Sequence, residues 1–369
     1  MKTYVQYICC AVGCLIGVHE AAAQLPIITS FSQNGVLVCS NLAPASVASV
    51  QWASSLSGPW QSDWAGLTNL TVGSNGIIQV SVPMFFRVVS TPPPGLALIP
   101  AGAFTMGDTL DGESDAMPTV SVTLSDFYVD INLVTYSQWQ SVYNWATTAG
   151  YSFDNTGLGK MADHPVQTVD WYDVVKWCNA RSQQAGLTPV YYADAGLTQV
   201  YMNGDSTPYV KWTASGFRLP TEAEWEKASR GGVSGARFPF VGNIRGGVAN
   251  YFGCTSCSSY DLGPDGYSAY VDKSVTPYTS PVGFFSAYYN GYGLYDMAGN
   301  VFEWCWDWYG TPYGQPTTTN PTGPTTGSFR VLRGGSWHEQ AYYARCAGRQ
   351  YQDPSTPSYT IGFRCVRAL

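Results

Sequence analysis

Two carboxylates seven residues apart, Asp296 and Glu303, bracket a glycine-containing turn within the segment 290–304. Carboxylate oxygens and turn carbonyls on an irregular loop are the hard ligands that calcium takes. A calcium site is therefore one interpretation of this spacing. In the other, Asp296 caps a turn and Glu303 forms a buried ion pair, and the spacing alone leaves both open.

A C-x-x-C motif is formed by Cys254 and Cys257. Such a motif serves as a redox pair, as half of a zinc site or as a local disulfide. The sequence has no second pair with zinc spacing, and the flanking residues lack the strand-to-helix pattern of a thioredoxin. A structural disulfide is therefore the favoured interpretation.

The segment 333–339, Arg-Gly-Gly-Ser-Trp-His-Glu, gathers residue types used in nucleophilic catalysis. Ser336 and Cys346 have the chemistry of a nucleophile, and His338 beside Glu339 has that of a base. The only other histidine after residue 24 is His164, which precedes a proline. A lone histidine beside a glutamate is weak support for catalysis, so a polar loop between strands is the simpler interpretation.

Composition narrows the classes of function. Only 12% of the 369 residues are charged, about half the usual share. The net charge of −7 argues against a nucleic-acid binder. Three histidines in total argue against a histidine-rich metal centre.

Residues 1–23 have the pattern of a cleaved secretory signal peptide: one lysine, an apolar run over 7–18 and three alanines at 21–23. The apolar run is too short for a membrane span, and no later stretch reaches about 18 apolar residues. We therefore expect a secreted or periplasmic protein without a membrane span. A lipoprotein, to which Ala-Val-Gly-Cys at 11–14 would point, is the less favoured alternative.

Seven cysteines remain after the signal peptide. In an oxidising compartment most cysteines pair, so the odd number leaves at least one free thiol. The seven are Cys39, Cys178, Cys254, Cys257, Cys305, Cys346 and Cys365.

The elements that position these groups fall into two parts. Residues 24–90 predict a small all-β, sandwich-like module, because short β-prone runs occupy 35–39, 46–52 and 77–82. Ser-Asn-Gly at 74–76 is a hairpin signal. This module carries no catalytic pattern and fits a spacer or adhesion role. A proline-rich linker follows at 91–95.

Residues 96–369 combine three helices with irregular chain and short β-prone segments. Apolar periodicity behind capping residues predicts helices over 135–145 and 170–181. A capping box at 221–224 begins the third. The fold class is therefore α+β with much irregular structure.

At these motifs the chain resembles the formylglycine-generating enzyme family, also called sulfatase-modifying factors. The resemblance covers residues 96–369. It rests on Phe-Arg-Leu-Pro-Thr-Glu-Ala-Glu-Trp-Glu at 217–226, the run 291–304, Arg-Gly-Gly-Ser-Trp at 333–337 and Gly-Phe-Arg-Cys at 362–365. It implies a C-type-lectin-like fold with few helices, short sheets and bound calcium.

The resemblance also implies ligands for calcium. One site takes two side chains and two carbonyls, namely those of Asp296 and Glu303 and those of Gly299 and Val301. A second site would begin at Asn250 and the Tyr251 carbonyl. Asp265 and Asp272 are both open as the acid of that second site.

The resemblance pairs Cys178 with Cys365 in a disulfide. A second family disulfide lacks one end here, because Ser229 stands where a cysteine would precede Arg-Gly-Gly. Cys346 thereby loses its expected partner, and Cys305 is a candidate substitute.

The chain also departs from the family's enzymes. Those enzymes carry two cysteines shortly after the Gly-Gly-Ser-aromatic motif, and their thiolates bind copper(I) for the oxidation of a substrate cysteine. Here the segment 338–344 has no cysteine, while Phe302 and Thr360 replace a tryptophan and an asparagine. We therefore expect no copper site. The alternative is a formylglycine-generating oxidoreductase that acts on a sulfatase cysteine.

The favoured function is a calcium-braced recognition module without copper-dependent oxidase activity. Its ligand would be an exported protein, a peptide or a glycan, bound by aromatics and amides at 337–343 and 350–359. The candidate ligand-binding residues are Ser336, Trp337, His338, Glu339 and Tyr342.

Overall fold

The computed structural model describes residues 27–31, 36–42, 47–53, 70–81, 85–89, 92–240, 242–310 and 318–369. Contacts divide the chain into two compact units, 1–94 with Leu369 and 95–368. The expected signal peptide and residue 91 of the expected linker lie outside the described residues.

The described residues of the first unit form two three-stranded antiparallel sheets. Their orders are β1–β2–β5 and β4–β3–β6. Buried side chains from β2, β3 and β5 form one cluster, as expected for two packed sheets. The strands are β1 Ile27–Phe31, β2 Val36–Ser40, β3 Val47–Ala53, β4 Leu70–Thr71, β5 Ile78–Ser81 and β6 Phe85–Val89.

The hairpin predicted at 74–76 is wrong, although the turn itself forms. Gly76 donates to the Gly73 carbonyl at 2.9 Å and accepts from the Leu42 amide at 3.0 Å. The strands on either side pair elsewhere, β4 with β3 and β5 with β2. A turn signal specifies a chain reversal but not the partner strand, and here the reversal passes the chain from one sheet to the other.

The described residues of the second unit form three helices and many short strands, which confirms the α+β prediction with much irregular chain. The helices are α1 Tyr136–Thr148, α2 Trp171–Gln184 and α3 Glu222–Ser229. A single 3₁₀ turn covers Ser114–Ala116. No helix in the described part of the chain has the length and apolar character to cross a bilayer.

Two four-stranded sheets organise the second unit, β13–β20–β10–β7 and β18–β17–β16–β19, together with the pairs β8–β9, β11–β12 and β14–β15. The strands are β7 Leu96–Ile99, β8 Gly102–Met106, β9 Val120–Leu124, β10 Phe127–Asp130, β11 Tyr191–Tyr192, β12 Tyr209–Val210, β13 Phe217–Arg218, β14 Phe252–Gly253, β15 Gly266–Tyr267, β16 Phe302–Trp308, β17 Arg330–Arg333, β18 Arg349–Gln352, β19 Ile361–Gly362 and β20 Val366–Arg367.

The three predicted helices are confirmed, together with their caps. Asp170 accepts from the Asp173 amide at 2.8 Å, and Thr221 and Glu224 form the reciprocal capping box. Helices α1 and α2 each run three residues beyond the predicted ends. The apolar periodicity stops before those final turns, which are mostly polar, so it could not indicate them.

Buried ion pairs fix α3 to the sheet that leads into the Gly-Gly-Ser-Trp segment. Glu222 holds Arg349 of β18 with Oε1 2.6 Å from Nε, and Glu226 holds Arg333 of β17. All four side chains are at most 6% exposed. These four charges are therefore neutralised inside the fold by their partners.

Candidate functional site

The Gly-Gly-Ser-Trp segment leaves β17 through two left-handed glycines. Gly334 and Gly335 have φ of 91° and 72°. A Cβ on Gly335 would lie 3.0 Å from the Ala344 nitrogen, so this conformation and this close approach both favour glycine. The turn carries the next two residues, Ser336 and Trp337, into the interior, where they are 0% and 2% exposed.

Trp337 is the centre of a group of aromatic rings. Its ring centroid lies 5.6 Å from that of Tyr267, 5.0 Å from Tyr278, 5.2 Å from His338 and 5.8 Å from Tyr359. We call these five residues the aromatic face. The side chain of His338 is 44% exposed, and Tyr359 is 47% exposed. The face therefore presents rings to solvent above a buried indole.

The indole nitrogen of Trp337 is the unusual group in this face. Its Nε1 is buried, and no described residue accepts a hydrogen bond from it. A buried donor without an acceptor costs roughly 1–3 kcal/mol. An acceptor that reached this N–H would remove that cost.

The residues with catalytic chemistry are not arranged as a nucleophile and base. Ser336 Oγ accepts from the backbone amide of His338 at 3.2 Å, and the His338 ring lies 3.8 Å from Glu339 instead. Cys346 is buried, and its sulfur accepts from the Ser229 hydroxyl at 3.2 Å. Burial raises the pKa of the Cys346 thiol to about 11, which disfavours the reactive thiolate.

The thiolate pair that binds copper(I) in the family's enzymes has no counterpart after Trp337 in this chain. Copper(I) requires soft thiolate ligands, and the segment 338–344 that follows Trp337 has no cysteine. Cys346 is a single buried thiol held by Ser229.

Tyr342 takes a different position from the rest of the predicted ligand-binding set. Its ring lies under the Arg345 guanidinium at 4.2 Å and beside Tyr343 at 5.1 Å. Burial, with a contribution from Asp115, raises the pKa of its hydroxyl. These contacts tie Tyr342 to the Arg345 segment, whereas Trp337 and His338 belong to the aromatic face.

The two carboxylates of the first predicted calcium site have different partners. One has no ion pair among the described residues, and the other belongs to an ion pair. Asp296 accepts from the Gly283 amide at 2.6 Å, and burial raises the pKa of its carboxyl to about 6. Both oxygens of Glu303 accept from Arg364, at 2.7 and 3.0 Å. The half-buried Asp296 fits a calcium ligand, while Glu303 already has the ion-pair partner that the second interpretation predicted.

The second predicted calcium site is less well defined. Asn250 donates to the Tyr278 carbonyl at 2.8 Å. The Tyr251 hydroxyl donates a hydrogen bond to Asp261, an acid that the sequence analysis did not select. Of the two candidate acids, Asp265 accepts from the Thr255 amide and Asp272 pairs with Lys160. These contacts therefore do not show which of the two acids would complete the second site.

Three carboxylates meet at the start of α2, two of which belong to the predicted helix cap, whereas Asp154 was not selected from the sequence. Oxygens of Asp154, Asp170 and Asp173 lie within 4.8 Å of one another. Lys176 lies 3.1 Å from Asp173, and Asn155 donates to Asp170 and Asp173. Burial, followed by the charge of Asp173, raises the pKa of Asp170 to about 7. The cluster thus caps α2, and the positive charge of Lys176 offsets part of its negative charge.

The cysteines form one bonded pair and one adjacent pair. Cys254 and Cys257 are joined across a turn closed by the Cys257 amide and the Cys254 carbonyl at 3.0 Å. Cys178 and Cys365 are buried with their sulfurs 3.6 Å apart. The disulfide between the second pair stays a prediction.

Sequence reasoning missed two members of the aromatic face, Tyr267 and Tyr278. Both lie in a long irregular stretch without periodicity, and the aromatic richness of the chain pointed to its core. The signal was present only as an unusual density of tyrosine between the C-x-x-C motif and residue 278. Tyr359 fell within the predicted segment 350–359.

Three helices, many short strands and a Gly-Gly-Ser-Trp segment around a buried indole define a domain of the sulfatase-modifying-factor type. Residues 84–369 match the family described as the sulfatase-modifying factor enzyme 1-like domain. The chain belongs to this family, which confirms the resemblance found in its sequence.

Individual relatives share this domain but carry different names. The formylglycine-generating enzyme of Streptomyces coelicolor is 32% identical over 295 residues, 74% of this chain and 88% of that enzyme. The serine/threonine-protein kinase pkn1 of Chlamydia pneumoniae is 32% identical over 277 residues, 74% of this chain, and the chain spans 38% of that kinase. The shared domain therefore does not by itself fix an activity.

Among solved structures, Treponema denticola variable protein 1 has the same fold. It superimposes with a TM-score of 0.55 at 26% identity, over 74% of this chain and 95% of that protein. The likeness supports the fold assigned to the second unit.

Proposed function

We propose that the chain is an exported recognition module of the sulfatase-modifying factor family, without copper-dependent oxidase activity. It binds a protein, peptide or glycan at the aromatic face, and calcium at Asp296 braces the loop behind that face. The observation that carries this proposal is the buried Trp337 indole N–H, which has no acceptor among the described residues and lies beneath exposed rings.

Three features support binding at this face. Aromatic rings provide contact area at a low cost in conformational entropy. His338 and Glu339 add one titratable base and one carboxylate at the rim, 44% and 35% exposed. The buried pairs between α3 and β17 hold the sheet that carries the face, so the binding surface is pre-organised.

The oxidase alternative has weaker support. It requires a pair of thiolates near Ser336, and the sequence there supplies none. Cys346 is buried beside Ser229, and its pKa is raised rather than lowered. These properties belong to an inert buried cysteine and not to a metal-binding one.

Binding is tested with the full chain in calcium on arrays of glycans and peptides, alongside the Tyr359→Ala variant. Tyr209→Ala is the matched control, because Tyr209 is 51% exposed but lies on β12, outside the aromatic face. We expect Tyr359→Ala to lose the captured glycan or peptide and Tyr209→Ala to keep it. Equal binding by all three proteins would contradict the proposal.

The alternative is tested in parallel. The protein is incubated with copper(I), oxygen and a sulfatase-type cysteine peptide, and the peptide is followed by mass spectrometry. We expect no aldehyde. Its formation, at a rate comparable to that of an active family enzyme used as control, would favour the oxidoreductase.

A further inference from the structure

Four aromatic residues with solvent-accessible surface lie together at the aromatic face. The ring centroid of His338 is 6.0 Å from that of Tyr267 and 6.4 Å from that of Tyr359, whose ring is nearly perpendicular to it at 89°. Phe252 extends the group, with its ring centroid 4.9 Å from that of Tyr267. Tyr267 and Phe252 are half-buried, whereas His338 and Tyr359 are exposed. A ligand on this side of the domain therefore meets π systems rather than aliphatic side chains.

One carboxylate lies beside these rings. Glu339 Oε1 is 3.8 Å from His338 Nδ1, and the Glu339 side chain is 35% exposed. Its backbone is fixed, because its amide donates to the Ser336 carbonyl at 3.1 Å and its carbonyl accepts from the Phe252 amide at 2.9 Å. Among the described residues, no lysine or arginine lies within 4.0 Å of this carboxylate. The aromatic face thus has an accessible negative charge at its rim.

Negative charge also predominates in the segments that contain the members of the face. Residues 250–279, 336–344 and 350–360 together have five carboxylates and one lysine. Two carboxylates have partners, since Asp261 accepts from the Cys254 amide and Asp272 pairs with Lys160. Hydrogen bonds from neighbouring amide and hydroxyl groups lower the pKa of Asp265 and Asp353, so both are ionised at neutral pH. The segments therefore attract cations.

We propose that the aromatic face binds a basic side chain, an arginine or lysine carried by a peptide or protein. The cation lies against the exposed rings and near the Glu339 carboxylate. An aromatic ring attracts a cation through the partial negative charge of its face, and a guanidinium also stacks on such rings. This inference rests on the proposed recognition function and names the class of ligand that the face takes.

The same charges disfavour other ligands. An acidic or phosphorylated ligand would bring like charge to Glu339, which opposes binding. A neutral sugar can stack on the rings, but it carries no charge for the carboxylates to attract. Attraction between exposed charges weakens as salt is added. Salt dependence therefore separates a basic ligand from a neutral one.

The test measures steady-state binding to the immobilised full chain in calcium, at mildly alkaline pH, where imidazole is neutral. The probes are capped Gly-X-Gly peptides in which X is arginine, citrulline, lysine or norleucine. Citrulline has the shape of arginine without its charge, and norleucine has the four-carbon stem of lysine without its ammonium. We expect each basic peptide to bind about fivefold or more tightly than its neutral counterpart, with a smaller preference at high salt.

Two variants at matched glutamates locate the charge that is responsible. Glu339→Gln keeps the size of the side chain and removes its charge, so we expect it to weaken binding of the arginine peptide about threefold and to leave the citrulline peptide unchanged. Glu113→Gln makes the same change at a half-buried glutamate outside the three segments. We expect it to bind both peptides as the wild type does.

Three results would overturn the proposal: no binding of the arginine peptide, equal binding of the arginine and citrulline peptides, or equal effects of the two glutamate variants. Capture of a neutral glycan that Tyr359→Ala abolishes, without a preference for basic peptides, would reject the basic ligand and keep the recognition function. Loss of every ligand on the arrays and of all four peptides would reject both.

Discussion

The hydroxyl of Ser229 lies 3.2 Å from the sulfur of Cys346, at the end of α3. The family resemblance places a cysteine at position 229, and the structure brings that position to Cys346. The serine therefore occupies the place of one half of a cross-link, and it leaves Cys346 as a buried free thiol.

Replacing Ser229 by cysteine should restore this cross-link. We expect Ser229→Cys to form a disulfide with Cys346 under oxidising conditions and to raise the free energy of unfolding by about 2–4 kcal/mol, since the bond closes a long loop. Alkylation of free thiols in denaturant, read by mass spectrometry, reports the bond. Ser229→Cys/Cys346→Ser is the control, and an unbonded Cys346 in the single variant would show that the two positions do not meet.

The adjacent sulfurs of Cys178 and Cys365 lead to a second prediction. They lie 3.6 Å apart inside the fold, so oxidation should join them. We expect Cys178→Ser to lower the free energy of unfolding by roughly 2–5 kcal/mol without reductant. Cys305→Ser, at a buried cysteine without a disulfide, is the comparison. Equal melting of wild type and Cys178→Ser under non-reducing conditions would argue against the bond.

Calcium binding at Asp296 gives a third prediction. A ligand that binds only the folded state raises the melting temperature, so the wild type should melt higher in calcium than in chelator. Asp296→Ala should melt sharply lower than the wild type in calcium and should not respond to the metal, because the carboxylate ligand is gone. The idea fails if the wild type melts at one temperature in calcium and in chelator.

The fourth prediction concerns pH. Burial, with the charge of Glu222, raises the pKa of Asp307 to about 8. The folded protein then binds a proton that the unfolded chain releases near pH 4, so the stabilisation is full below that pH and is lost as the pH rises towards 8.

Asp307→Asn should remove this dependence while keeping an acceptor for the Glu222 amide, 2.8 Å from Asp307 in the wild type. Between pH 5 and pH 9 we expect the wild type to lose roughly 2–4 kcal/mol more than the variant. Urea unfolding at several pH values measures the difference. Parallel pH profiles for the two proteins would show that Asp307 titrates normally.

The helices and the family could be predicted from the sequence because their signals are local. The caps at Asp170 and Thr221 precede periodic apolar residues, and both act as predicted. The motif 333–337 likewise indicated the segment that holds Trp337. Such patterns depend on neighbours within a few positions along the chain.

The aromatic face and the partner of Glu303 could not be predicted in the same way. Tyr267 and Trp337 are seventy positions apart, and their contact depends on how irregular loops return. Spacing alone left Glu303 open between calcium and an ion pair, and its contact with Arg364 arises only when β19 pairs with β16. A site built from loops that are distant in sequence can be recognised only once the fold is known.

The sheet order of the second unit has a consequence for how the chain folds. Strand β20 pairs with β10 on one side and β13 on the other, although it follows both in sequence. The sheet therefore cannot form completely until residues near 366 are available. Until then β10 and β13 each lack the strand that pairs with one of their edges. Contacts over such sequence separations slow folding and lengthen exposure to aggregation. We therefore expect this domain to fold in a cooperative step that requires β20.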